Sequence, residues 1–200
     1  MTGEVFEAPA FGTAVADFSR VDKARLVNAL ARVVPAASLL HDVEDLRPYE
    51  CDGMAALRQV PMVVVLPETE AQVVDILKIC AAQGVPVVAR GAGTGLSGGA
   101  QPHRFGLVLS LARLKKILNI DAHARRAVVQ PGVRNLAISE AAAPYGLYYA
   151  PDPSSQIACT IGGNVAENSG GVHCLKYGLT IHNLLKVRGV SIAGDIVEFG

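Results

Sequence analysis

The chain has 200 residues, with 18 Lys and Arg against 18 Asp and Glu, so its formal net charge is zero. This balance argues against a nucleic-acid or anionic-membrane binding protein, because both need a surplus of basic side chains. Half of the residues are hydrophobic, which excludes intrinsic disorder, and no apolar run approaches the roughly 18 residues that a membrane-spanning helix requires.

The N-terminus and the cysteines indicate a cytoplasmic protein. The first 20 residues lack the basic region and the apolar stretch of a signal peptide. The four cysteines show no CxxC spacing, so we expect small buried thiols rather than a metal site.

The first half of the chain predicts two helices and two buried strands. An N-terminal helical segment is expected over residues 1–40, with an amphipathic helix over 22–34. A β-branched run predicts a strand over 62–66, and a helix follows over 69–84. A second strand over 85–89 completes a strand–helix–strand unit.

The second half predicts shorter elements. Strands are expected over 107–111, 117–120 and 127–130, a helix over 134–143, and a hairpin over 184–199. Together with the first half, this pattern predicts an α+β fold of two packed lobes.

Nine of the 20 glycines fall into two short windows, residues 91–99 and 162–171. Apolar elements flank both windows, so they are not flexible linkers. Clustered glycine inside a globular pattern indicates positive φ angles or the close approach of a ligand to the main chain. We therefore expect the two clusters to face one another across a site.

Two known motifs, one catalytic and one nucleotide-binding, match the first cluster in sequence but not in predicted structure. Residues 93–98 form a GxGxxG string, and Ser97 lies in a GxSxG string with Asp152 and His173 or His182 following in hydrolase order. Both motifs require a helix directly after the glycines. The glycines and the proline that follow exclude such a helix, so we disfavour a Rossmann site and a serine hydrolase.

The third interpretation is an anion-binding nest of main-chain amides. Glycine lets consecutive N–H groups surround a diphosphate, and the hydroxyls of Thr94 and Ser97 can add hydrogen bonds. No Walker lysine is present, so a magnesium triphosphate is not indicated. The second cluster carries Thr160, Asn164 and Asn168 and predicts a second nest of the same chemistry.

In this order, the motifs resemble a known family. Residues 87–99 (VVARGAGTGLSGG), the pair at 131–132 and residues 152–171 are similar to the FAD-binding domain of the vanillyl-alcohol oxidase and p-cresol methylhydroxylase group. Within that group, residues 61–72 and 177–185 most resemble glycolate oxidase D subunits and D-lactate dehydrogenases.

The resemblance implies a two-lobed α+β FAD-binding domain over residues 41–200, with FAD between the lobes. Main-chain amides of the first cluster would bind the diphosphate, and residues 196–197 would contact adenine through the main chain. Arg90 would pair with phosphate or brace a carboxylate such as Glu167. The implied cofactor-binding residues are Arg90, Gly91, Ala92, Gly93, Thr94, Gly95, Leu96, Ser97, Pro131, Gly132, Asp152, Pro153, Ser154, Ser155, Thr160, Gly162, Gly163, Asn164, Asn168, Gly170, Gly171, Ile196 and Val197.

The implied reaction is oxidation of glycolate or a related 2-hydroxy acid to the 2-oxo acid. A D-lactate dehydrogenase and a non-catalytic FAD-binding subunit are the alternatives. Some members attach FAD covalently through a histidine in the first glycine loop. This chain has Thr94 near that position, so we expect non-covalent FAD here. The catalytic base is not identified, because the substrate-binding cap is expected to lie beyond Gly200. Other glycolate oxidase subunits are expected partners, through which the protein would lie at the inner membrane.

Overall fold

The computed structural model describes residues 17–200, so the part of the predicted N-terminal segment over residues 1–16 lies outside the described residues. The helices and strands follow in chain order: α1 (Lys23–Leu30), β1 (Leu39–Leu40), α2 (Val43–Leu46), β2 (Val63–Val65), α3 (Glu70–Gln83), β3 (Val87–Arg90), β4 (Leu107–Ser110), β5 (Ile117–Asp121), β6 (Arg126–Val129), α4 (Asn135–Ala142), α5 (Ile161–Glu167), α6 (Cys174–Tyr177), β7 (Val187–Val190) and β8 (Ile196–Phe199).

The first lobe is built on a four-stranded sheet in the order β1–β2–β4–β3. Strand β1 runs antiparallel to β2, whereas β2, β4 and β3 are parallel. Side chains alternate between the faces of a strand, so Val63 and Val65 face the main core while Val64 packs on the other face with Leu46. The sequence predicted both flanking strands of the βαβ unit, and the structure inserts β4 between them.

Helix α3 lies over this sheet and confirms the local signals read from the sequence. Thr69 and Gln72 form a capping box at its start, and Gly84 ends it with a φ of 65°. Cys80 is fully buried on its inner face, and burial raises the pKa of this thiol to about 12. All four cysteines are free of disulfides; Cys80 and Cys159 are buried as expected, whereas Cys51 and Cys174 are only half-buried, so the expectation is wrong for those two.

Helix α1 and strand β1 belong to the same core. Leu26 and Leu30 are fully buried against α3, and Leu39 pairs with Val65 across the sheet. The predicted division of the chain at residue 40 therefore crosses a continuous packing unit, and its meaning as a domain boundary stays a prediction.

The second lobe has a smaller core of Val133, Ile138 and Ile161, covered by the β5–β6 hairpin. The β7–β8 hairpin lies elsewhere, on α3, where the Arg188 guanidinium contacts the Glu70 carboxylate at 2.8 Å. The architecture is the predicted α+β fold with two cores. No helix among residues 17–200 combines the length and the hydrophobicity needed to cross a membrane.

Candidate cofactor site

The two glycine clusters face one another across a cavity of about 220 Å³. One wall is the end of β3 and the loop that follows it, and the other is the first turn of α5. No helix forms between β3 and β4, which agrees with the rejection of the Rossmann and hydrolase elbows. The cavity thus lies at the carboxyl end of a parallel strand, which is the usual place for ligands in parallel sheets.

The first cluster presents main-chain donors that no neighbour uses. Gly93 adopts a φ of 71°, which a side chain would disfavour. The amides of residues 92–100 donate no hydrogen bond to any other residue in the described part of the chain. These donors lie on a half-exposed loop and are free to bind an anionic ligand, as in an anion-binding nest.

Most of the second cluster is helical, and the prediction of a second nest is wrong for residues 161–167. These residues form α5, with Thr160 in the extended conformation immediately before it. The buried Asn164 explains the helix, because its amide donates to the Thr160 carbonyl and its side-chain oxygen accepts from Asn135. Gly162 packs against Pro131, where a Cβ atom would lie 2.8 Å from the proline ring.

Thr160 carries the clearest sign of a missing partner. Its residue is 6% exposed, and its hydroxyl oxygen is buried without a hydrogen bond in the described structure. A Cβ atom at Gly91 would overlap this oxygen and would lie 3.8 Å from the Gly163 nitrogen. The Gly163 amide also donates to no other described residue. Unpaired buried polar groups are unfavourable, so a ligand acceptor between these groups would stabilise the site.

Glu167 joins the two clusters from the far end of α5. Its carboxylate lies within 3.0 and 3.1 Å of where Cβ atoms of Gly95 and Gly99 would stand. The Ser97 hydroxyl donates to Glu167 at 3.3 Å, whereas the His173 and His182 rings bond to Asp152 and Leu179. Larger residues at these two glycines would push Glu167 away from the loop.

Arg90 supports the loop through the segment around Cys51, and its pairing with phosphate stays a prediction. Its guanidinium donates to the Cys51 carbonyl at 2.8 Å and lies 5.6 Å from the centre of the Tyr49 ring. It makes no ion pair with Glu167, and its side chain fills the space beside Gly93. A buried cation that is already hydrogen-bonded and stacked fixes the start of the loop.

Asp152 and His173 form a pair beside the second cluster. The His173 ring nitrogen Nδ1 lies 2.6 Å from the Asp152 carboxylate, and the His173 amide donates to it at 3.3 Å. The ring hydrogen bond holds the pKa of the Asp152 carboxyl below its usual range. The His182 ring nitrogen Nδ1 accepts from the Leu179 amide at 3.0 Å.

About half of the residues expected to bind the cofactor line the cavity. These are Arg90, Gly91, Ala92, Gly93, Thr94, Gly95, Pro131, Ser155, Thr160, Gly162, Gly163 and Asn164. The others lie outside its wall: Leu96, Ser97, Gly132, Asp152, Pro153, Ser154, Asn168, Gly170, Gly171, Ile196 and Val197. Ile196 and Val197 are on β8, in the hairpin over α3. The cofactor contacts of all these residues stay predictions.

Two acidic residues in the cavity wall were not predicted from the sequence. Asp52 lies in a segment for which no role was predicted, and Glu167 was considered only as a partner of Arg90. An Asp-Gly pair signals a turn. Nothing local indicates that this turn lies against a loop 40 residues further along the chain.

Comparisons with known proteins show the family of the chain. A protein-family model described as an FAD binding domain matches residues 61–200. Glycolate oxidase subunit GlcD of Escherichia coli strain K12 is 59% identical over 180 residues, which are 90% of this chain and 36% of that protein. D-lactate dehydrogenase of Archaeoglobus fulgidus is 41% identical over 138 residues, 69% of this chain and 31% of that protein.

The solved structure of p-cresol methylhydroxylase with substrate bound aligns with a TM-score of 0.75 at 22% identity, over 88% of this chain and 35% of that one. The chain thus spans about a third of the length of these relatives. With the family model matching most of the sequence and the fold matching a solved member, the chain belongs to the FAD binding domain family and has the vanillyl-alcohol oxidase and p-cresol methylhydroxylase type of fold.

Proposed function

We propose that the chain is the FAD-binding part of a flavin-dependent 2-hydroxy-acid dehydrogenase similar to the glycolate oxidase D subunit. Its substrate would be glycolate or a related 2-hydroxy acid, and its product the 2-oxo acid. The observation that carries the proposal is the set of unpaired amides of residues 92–95, 99 and 100, which line the cavity opposite the start of α5. The identity of 59% to a glycolate oxidase subunit supports this substrate class.

The residues present fit FAD. The amides of residues 92–95, 99 and 100, the Thr160 hydroxyl and the Gly163 amide together offer neutral donors to a diphosphate. Bound FAD would accept a hydride from the substrate α-carbon, while a base removes the hydroxyl proton. The first glycine loop contains no histidine, which supports non-covalent binding. None of the described residues is assigned as the base.

An apolar surface beside the second cluster supports a further, substrate-binding part of the protein. Val172, Leu175, Ile181 and Leu185 are each at least 62% exposed. Four exposed apolar side chains within residues 172–185 favour a contact surface. Because the matched relatives are about three times as long, we propose that a substrate-binding domain of the same polypeptide covers it.

We also propose that the protein is cytoplasmic and that other oxidase subunits hold it at the inner membrane.

A D-lactate dehydrogenase is the second candidate, favoured by the 41% identity to the Archaeoglobus fulgidus enzyme. The two candidates differ only in the 2-hydroxy acid. A third, non-catalytic FAD-binding subunit differs in having no reaction of its own.

Anaerobic reduction of the full-length, FAD-loaded protein tests the proposal. We expect glycolate to bleach the flavin absorbance faster than D-lactate does. Faster bleaching by D-lactate would favour the second candidate, and no bleaching by either would favour the non-catalytic subunit.

Acid precipitation tests how FAD is attached. The yellow colour is expected in the supernatant, and colour in the pellet would contradict non-covalent binding.

We expect Thr160→Val to weaken FAD binding about tenfold, the effect of losing one hydrogen bond to a charged group. Valine has the same shape and removes a hydroxyl that has no partner in the described structure. The melting temperature of the unliganded protein should therefore stay unchanged or rise. Flavin fluorescence titration and differential scanning calorimetry measure the two quantities.

The matched control is Thr180→Val. The Thr180 hydroxyl is equally buried but donates to the Ser169 carbonyl at 2.8 Å. This variant should lose about 1 kcal/mol of stability without cofactor. If Thr160→Val loses stability as Thr180→Val does and binds FAD normally, Thr160 has no role in the cofactor site.

A further inference from the structure

A short segment outside the glycine clusters holds the first cluster in place. We call residues 51–53 the strap. Its first residue, Cys51, accepts the hydrogen bond from Arg90 at the end of β3. Its last residue, Gly53, donates its amide to the Gly95 carbonyl at 2.9 Å. Between them, the Asp52 carboxylate accepts from the Met54 amide at 2.8 Å and fixes the turn.

The strap lies too close to the loop for any side chain at residue 53. A Cβ atom there would stand 2.8 Å from the Gly95 carbonyl oxygen and 3.1 Å from that of Thr94. Both obstacles are main-chain atoms, which cannot rotate away as a side chain can. Gly53 does not have a positive φ, so contact with the loop, rather than its own backbone conformation, accounts for glycine at this position.

The loop needs such outside support. The amides of residues 92–100 donate to no other described residue, so the loop's own hydrogen bonds do not fix its shape. Arg90 fills the space beside Gly93, Glu167 lies against Gly95, and the strap holds the Gly95 carbonyl. These contacts hold the main chain of the loop without using its amide donors.

The hydrogen bond to Gly95 also orients a donor. A trans peptide group is planar, and its N–H points opposite to its C=O. The Gly95 carbonyl points to the strap, so the amide of Leu96, in the same peptide group, points away from the strap. Moving the strap would turn this donor.

We propose that the strap positions the first glycine loop so that its amides can bind the diphosphate of the cofactor. The inference rests on the proposed binding of FAD, and Gly53 acts through the loop without touching the cofactor. The test is Gly53→Ala in the full-length protein. We expect about tenfold weaker FAD binding, as overpacking against main chain would produce, and shifted ³¹P NMR signals of the bound FAD diphosphate.

Gly189→Ala is the matched control, because Gly189 has an ordinary φ and its nearest neighbour would lie 4.0 Å from an added Cβ atom. Its ³¹P signals and FAD affinity should equal those of the wild type. Gly53→Ala with wild-type signals and affinity would overturn the role of the strap. A wild-type protein that binds no FAD would instead contradict the proposed function.

Hydrogen exchange on the wild type gives an answer even if Gly53→Ala does not fold. The Gly53 amide should exchange more slowly when FAD is bound, since a loop held by the cofactor also holds its hydrogen bond to the strap. FAD binding without any change in this exchange rate would overturn the proposal.

Discussion

Gly91→Ala is expected to weaken FAD binding about 100-fold, near the upper end of the effect of overpacking a close contact. A Cβ atom at this position would overlap the Thr160 hydroxyl oxygen, between the two walls of the cavity. The threonine side chain can rotate to relieve the overlap, so the unliganded protein should still fold. Rotation turns the hydroxyl away from its place beside Gly163, and the new methyl group occupies the space for the ligand.

Flavin fluorescence titration measures the affinity, and circular dichroism checks the fold. Gly189→Ala again serves as the control, because the added methyl group makes only an ordinary van der Waals contact at 4.0 Å. An FAD affinity of Gly91→Ala within threefold of the wild type would place the diphosphate somewhere other than between Gly91 and Thr160.

Local signals explain why α3 was predicted closely. Its capping box joins Thr69 to Gln72, and the glycine that ends it follows directly, so each signal lies within one turn of the residue it affects. The absence of a helix after β3 was equally local, because glycine and proline disfavour helix at the positions they occupy. Such features need no knowledge of the rest of the fold.

Helix α5 shows where local signals mislead. Two consecutive glycines at 162 and 163 disfavour a helix by about 1 kcal/mol each, so the sequence favours a loop. Tertiary contacts reverse that preference. The Asn164 side chain bonds to Asn135, nearly 30 residues earlier, and Gly162 must be glycine to pack against Pro131. Neither partner can be found from the spacing of residues in the cluster.

The strap and the strand order were not predicted either, because both depend on contacts between distant parts of the chain. Residues 51–53 are polar and irregular, and their hydrogen bonds go to residues about 40 positions away. The insertion of β4 between β2 and β3 also depends on pairing across long stretches of chain. Periodicity identifies which face of a strand is buried, but it does not identify the neighbouring strand.

We expect Gly171 in the second cluster to be needed for packing and stability, whereas Gly91 in the first cluster leaves space for the cofactor. The variant Gly171→Ala tests the first part of this expectation. A Cβ atom at Gly171 would overlap the main-chain oxygen and the carboxylate of Asp152. The main chain cannot rotate away, so we expect a loss of about 3 kcal/mol and a fall in melting temperature of roughly 6–12 °C before any cofactor is added. The contact between Asp152 and His173 should break with it.

Gly170→Ala is the matched control, one residue earlier. The nearest atom to its added Cβ would be the end of the Leu179 side chain, which can move, so the melting temperature should fall far less. Equal melting temperatures for the two variants would mean that the Asp152 main chain does not constrain Gly171. The expected contrast assigns Gly171 to the packing of the second lobe and Gly91 to the space between the cavity walls, although both lie in glycine clusters of similar composition.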